Sequence, residues 1–168
     1  DELKALIVSG VELSPLVKSM YLVPTDDQGQ IDACNQAIEK SAQVLSQRVF
    51  KLLEAGPVLV PCAWAKPSGG HATYLEIFRQ PNDLYTVRNY NRGAGSGVQG
   101  AETFVGSKQI GPYFLELTDV AGAQLAKTAF WRGIIEIGTY THDENGYDNA
   151  YNEVDLYVGV LAQLKGTP

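Results

Sequence analysis

The sequence is poor in the residues that build metal centres and disulfide frameworks. Its 168 residues carry two cysteines, Cys34 and Cys62, and two histidines, His71 and His142. One pair of thiols makes no disulfide scaffold in a chain of this size, so both are expected to be reduced core residues unless chemistry claims one. Neither C-x-x-C nor H-x-x-x-H spacing occurs, so neither a metal nor a cofactor is expected. Cationic residues are also scarce: 13 Lys and Arg stand against 19 Asp and Glu, a formal charge of −6. Without a basic run to offset it, that balance excludes nucleic acid as an expected partner and disfavours anionic membrane surfaces. Apolar runs are only a few residues long, far short of the roughly 20 that a membrane span requires. Internal repeats, linkers and a signal-peptide pattern are absent as well.

Apolar residues, by contrast, are plentiful enough for one core, at 45% against 19% charged. Residues 1–168 read as a single globular domain, and the opening Asp1 suggests a fragment of a longer chain. Residues 3–8 (LKALIV) are a short strand or a helical turn, and Pro15 and Pro24 punctuate the segment up to Thr25. From Ile31 the apolar positions Cys34, Ile38, Leu45, Val49 and Leu52 fall on one helical face, and Gly56-Pro57 ends the helix. The period then changes. Val58–Val60 reads as a buried strand running toward Trp64, and His71–Phe78 and Leu84–Asn91 alternate as strands about a turn at Gln80–Asp83. A further strand is predicted at Tyr113–Leu117, and helices at 121–137 and 150–164. The fold class is α+β: a long N-terminal helix packed on a small antiparallel sheet, with C-terminal helices.

Two motifs are decoys. Gly95-Ser96-Gly97-Val98-Gln99-Gly100 matches G-x-G-x-x-G, but no helix opens after it to receive a pyrophosphate. His142–Gly146 hints at a calcium loop but lacks the first carboxylate and the bidentate Glu. Both read as loops. The strand tyrosines Tyr74, Tyr85 and Tyr90 have no basic stripe beside them and are ordinary sheet residues.

One constellation points to chemistry. Ser68-Gly69-Gly70-His71 sets a histidine at the start of a strand just after a turn. The next strand ends in Asn89-Tyr90-Asn91, with both asparagines on one face. If the two strands fold back about Pro81, His71 lies nearly opposite Asn91. An amide hydrogen-bonded to imidazole fixes its tautomer, as a general base requires.

The G-H-A strand start and the strand ending in N-x-G resemble the His and Asn segments of papain-like cysteine peptidases. The resemblance covers residues 28–93. It implies that Cys34, on the helix before the sheet, is the nucleophile, His71 the base and Asn91 its orienting partner. Gln28, six residues before Cys34, would support the oxyanion. The Gly, Ser and Trp that flank the family's cysteine do not surround Cys34. Two helix caps remain open: Thr25, which forms a capping box with Gln28 and leaves Cys34 deep in the helix, or Asp32, which puts Cys34 in the first turn, where the helix N-terminus lowers a thiol pKa. The resemblance implies a hydrolase or acyltransferase acting on a peptide or isopeptide bond of a protein or peptide substrate, and small domains of this kind occur among secreted bacterial effectors. The alternative is a non-catalytic protein-interaction domain using the Gly-rich loop and the acidic segment 139–149.

Overall fold

The computed structural model describes residues 2–17, 27–66, 69–91, 103–105, 108–110, 114–138, 141–142, 148–149 and 159–165. Its fold is α+β, as the pattern predicts. The apolar stripe becomes α2, Gln28–Leu53. Ile38, Ala42, Leu45 and Val49 are each at most 3% exposed, and these positions are spaced three or four apart on one face. The N-terminal end of the stripe projects outward, with Ile31 exposed. At the other end Leu53, rather than Leu52, takes the buried position.

The cap is neither Thr25 nor Asp32. Asp27, extended at φ −70 and ψ 105, accepts hydrogen bonds through its side chain from the Gly29 and Gln30 amides. An aspartate one position before the first helical residue meets two of the donors a helix N-terminus leaves unpaired.

The 3–8 run is not a strand or a single turn but part of α1, Glu2–Val17, and Pro15 lies within that helix rather than ending it. This helix lies along β1, Val58–Lys66, at the edge of the sheet. Ser9 is buried between them: its hydroxyl donates to Leu6 O at 3.0 Å and accepts the Leu59 amide at 2.9 Å. A hydroxyl thus satisfies an edge-strand N–H that would otherwise lack a partner.

β1 pairs antiparallel with β2, Gly69–Arg79, and β2 with β3, Leu84–Tyr90; β6, Phe114–Ala121, completes the sheet in the order β1-β2-β3-β6. The short pair β4, Thr103–Val105, and β5, Lys108–Ile110, lies between β3 and β6 in the chain. The β2–β3 turn is a 3-10 segment, Pro81–Asp83, in which Asn82 and Asp83 take φ of 65 and 57. Asn and Asp tolerate that left-handed region best after glycine. β6 is longer than predicted and bulges opposite Thr86, with Asp119 at φ 57.

The helix expected at 121–137 is two: α3, Gly122–Leu125, and α4, Thr128–Ile137. At the break, Ser46 Oγ donates to Ala126 O at 3.3 Å and Trp131 Nε1 to Leu125 O at 2.7 Å. Side-chain donors, one from α2 and one from α4, occupy these two carbonyls at the end of α3. Leu161–Lys165 forms a 3-10 turn with Leu161 and Leu164 buried. The rest of the helix expected at 150–164, residues 150–158, lies outside the described residues, as do the Gly-rich stretch 93–100 and residues 143–147. His142 lies on β7, Thr141–His142, paired with β8, Asp148–Asn149.

One face of the sheet meets α2 and α4. Val58, Val60, Leu75, Ile77, Val87 and Leu117 form it, joined by Leu45, Val49, Phe130, Trp131, Ile134 and Ile135 from the helices. No described helix is long and apolar enough to cross a membrane.

Candidate active site

β2 and β3 carry the candidate base. The strand begins at Gly69, so His71 is its third residue rather than its first. The register pairs Tyr74 with Tyr90 and Leu75 with Asn89. Continued one step, it sets Asn91 opposite Thr73, not opposite His71. His71 nevertheless bonds Asn91 along the diagonal, Nε2 to Oδ1 at 2.7 Å. Asn91 Oδ1 can only accept, so Nε2 is the donor in this bond. Asn91 is 1% exposed and His71 half-buried. The amide is therefore held inside the fold, beside a histidine that is only partly buried.

Thr73 and Asn89 lie on the same sheet face and are also buried, with Asn89 Nδ2 donating to Thr73 Oγ1 at 3.4 Å. Cys62 pairs with Thr73 across β1 and β2, and Trp64 with His71. Sequence reasoning named His71, Asn89 and Asn91 but passed over Thr73, because a threonine in a strand carries no signal beyond β-propensity.

The thiols are less favourably placed. Asp27 as the cap sets Cys34 nearly two turns into α2, beyond the first turn where the helix N-terminus acts on charge. Cys34 is half-buried against the core, and burial raises its pKa. Cys62 is buried; desolvation pushes its thiol to about 12, against a smaller lowering by the Leu75 backbone N–H. Gln28 is exposed on the first turn, and its Nε2 donates to Asp32 Oδ1 at 2.7 Å. Six residues of helix separate it from Cys34, about 9 Å along the axis. The geometry thus brings His71 and Asn91 together and holds Gln28 away from Cys34.

Among the described residues no group of three or more His, Cys, Asp or Glu side chains is arranged to hold a metal ion. The opposite face of the sheet carries a charge cluster. Arg88 Nε meets Glu116 Oε2 at 2.5 Å, with its guanidinium over the rings of Phe78 and Phe114, and Tyr90 OH donates to Glu76 Oε2 at 2.6 Å. The one guanidinium faces both carboxylates, at 3.7 Å from Glu76 and 2.5 Å from Glu116. Compared with protein-family models, with curated proteins and with solved structures, the chain matches none.

Proposed function

We propose that this chain is a papain-like cysteine hydrolase or acyltransferase domain acting on a peptide or isopeptide bond. His71 is the general base, Asn91 orients it, and Cys34, the more exposed of the two thiols, is the nucleophile. The observation that carries this reading is the 2.7 Å bond between His71 Nε2 and Asn91 Oδ1, which fixes the orientation of the ring as a general base requires. The Cys34 thiol proton passes to Nδ1 as sulfur bonds to the carbonyl carbon. The imidazolium then protonates the leaving amine, and water or a second amine releases the acyl group from sulfur. Burial raises the Cys34 pKa, so activation of this thiol depends on a base to take its proton. Gln28 takes part only if its carboxamide lets go of Asp32.

The raised pKa of both thiols favours a second reading, a non-catalytic interaction domain. So do Ile7, Val8 and Val11 on α1, which are 58%, 48% and 72% exposed. Such adjacent apolar side chains on a surface mark contact sites. The two readings separate with a peptidyl electrophile and mass-spectrometric mapping of the modified residue. Catalysis predicts His71-dependent modification of Cys34. Modification that is absent, or equally fast in His71→Ala, supports the interaction domain.

A further inference from the structure

Leu75 and Ile77 of β2 are buried against the helices, so their strand neighbours Glu76 and Phe78 point to the opposite face of the sheet. α1 covers part of that face at β1, where a Cβ on Gly10 would lie 3.5 Å from Leu59 Cδ2. Between α1 and β2 a cavity of about 210 Å³ remains. Leu6, Leu53, Pro57 and Phe78 give it apolar walls, and Glu76 and Arg79 are its charged lining.

The Glu76 side chain is only 13% exposed. Tyr90 OH donates to its Oε2 at 2.6 Å, and Arg88 Nη1 stands 3.7 Å from the same oxygen. No group among the described residues meets Oε1. Arg88 lies closer to Glu116, at 2.5 Å, and Arg79 pairs with Asp83 rather than with Glu76. The two guanidiniums thus face four carboxylates between them, Glu54, Glu76, Asp83 and Glu116. A carboxylate largely out of water, with one oxygen idle and a shared counter-charge, favours a further cation.

We propose that this cavity binds the side chain of a lysine presented by a partner peptide or protein. The apolar walls take the four-carbon stem, and the ε-ammonium meets Glu76 Oε1. Lysine fits better than arginine. A guanidinium pairs best with both oxygens of one carboxylate, and here Tyr90 and Arg88 already hold Oε2. The volume, about 210 Å³, falls below the roughly 300–1,000 Å³ of pockets that take a whole drug-sized ligand, so one side chain is the occupant. The cavity lies on the sheet face opposite His71 and Asn91 and takes no part in the chemistry proposed above.

The test follows nitrogen-15 amide shifts of the full chain as acetyl-Gly-Lys-Gly amide is added, beside its norleucine, arginine and glutamate counterparts. The lysine peptide should move the amides of residues 54–57 and 76–79 saturably. Norleucine keeps the stem without the charge and should bind about tenfold or more weakly, the factor that one hydrogen bond to a charged group carries. Glu76→Gln should weaken the lysine peptide by the same factor. Asp32→Asn, the same charge change at the far end of α2, should leave binding as in wild type. The proposal is overturned if no saturable shifts occur at these residues, or if norleucine or arginine binds as tightly as lysine. Tighter binding of the glutamate peptide, which makes Arg79 the contact, overturns it too. So does undiminished binding in Glu76→Gln, or an equal loss in Asp32→Asn. If Glu76→Gln shows no cooperative unfolding, Leu6→Phe, which fills the cavity and leaves the carboxylate in place, is read in the same way.

Discussion

His71 and Asn91 meet on a diagonal, two residues out of register, and the Thr73–Asn89 pair repeats that diagonal on the same face. Twisted antiparallel strands bring such offset side chains within reach of each other. The bond therefore depends on the twist of the β2–β3 ribbon and on the turn at Pro81–Asp83, which sets the register.

The core position of α2 is tested by truncation. Leu45 is 0% exposed, so Leu45→Ala should cost about 2–5 kcal/mol in urea unfolding. Ile31→Ala, at the exposed end of the same stripe, should stay within about 0.5 kcal/mol of wild type. Equal costs at the two positions would contradict the packing described.

The cap is tested in the same way. Asp27 accepts from the Gly29 and Gln30 amides; Asp27→Ala should cost about 0.5–2 kcal/mol and Asp27→Asn much less. Asp32→Ala loses only an exposed bond to Gln28 and should be nearly neutral. A larger loss at Asp32 than at Asp27 would move the helix start.

Much of this frame was legible in the sequence. The spacing from Ile38 to Val49 marks the buried face of α2, and the alternation on either side of Gln80–Asp83 marks the β2–β3 hairpin. The cap was not, because Thr25 with Gln28 has the composition of a capping box and only the local acceptor geometry selects Asp27. In α1 the buried Ser9 and Leu13 lie among the exposed Ile7, Val8 and Val11, so hydropathy draws no clean stripe. The break after Leu125 has neither Gly nor Pro, and the carbonyls there are met by Ser46 of α2 and by Trp131 six residues on in α4. At the site, pairing about Pro81 brought the right two residues together, but the diagonal arises from twist, which composition does not encode.

The Cys62 thiol gives a pH signature. Its pKa rises from an ordinary 9.0 to about 12 in the folded protein, chiefly through desolvation. The folded state thus holds this proton more tightly than the unfolded chain. Its contribution is fully present below the unfolded pKa and is lost as pH climbs from 9.0 toward 12. The Tyr90 phenol, raised by desolvation and then by Glu76, acts in the same direction. Urea midpoints should therefore fall between about pH 8 and about pH 11, and less steeply in Cys62→Ala. Identical slopes in the two proteins would mean that Cys62 is not held as a neutral thiol.

The central claim is that His71 and Asn91 act as one base unit on Cys34, and a double-mutant cycle tests it most directly. The rate of peptidyl-electrophile modification at Cys34 is measured for wild type, His71→Ala, Asn91→Ala and the double variant, with thermal unfolding confirming that each is folded. Groups that act as a unit lose their effect together. The account predicts that His71→Ala slows modification by about 10²-fold or more. It further predicts that Asn91→Ala slows it substantially and that the double variant is no slower than His71→Ala alone. Equal rates in all four proteins, or losses that simply multiply, would contradict it.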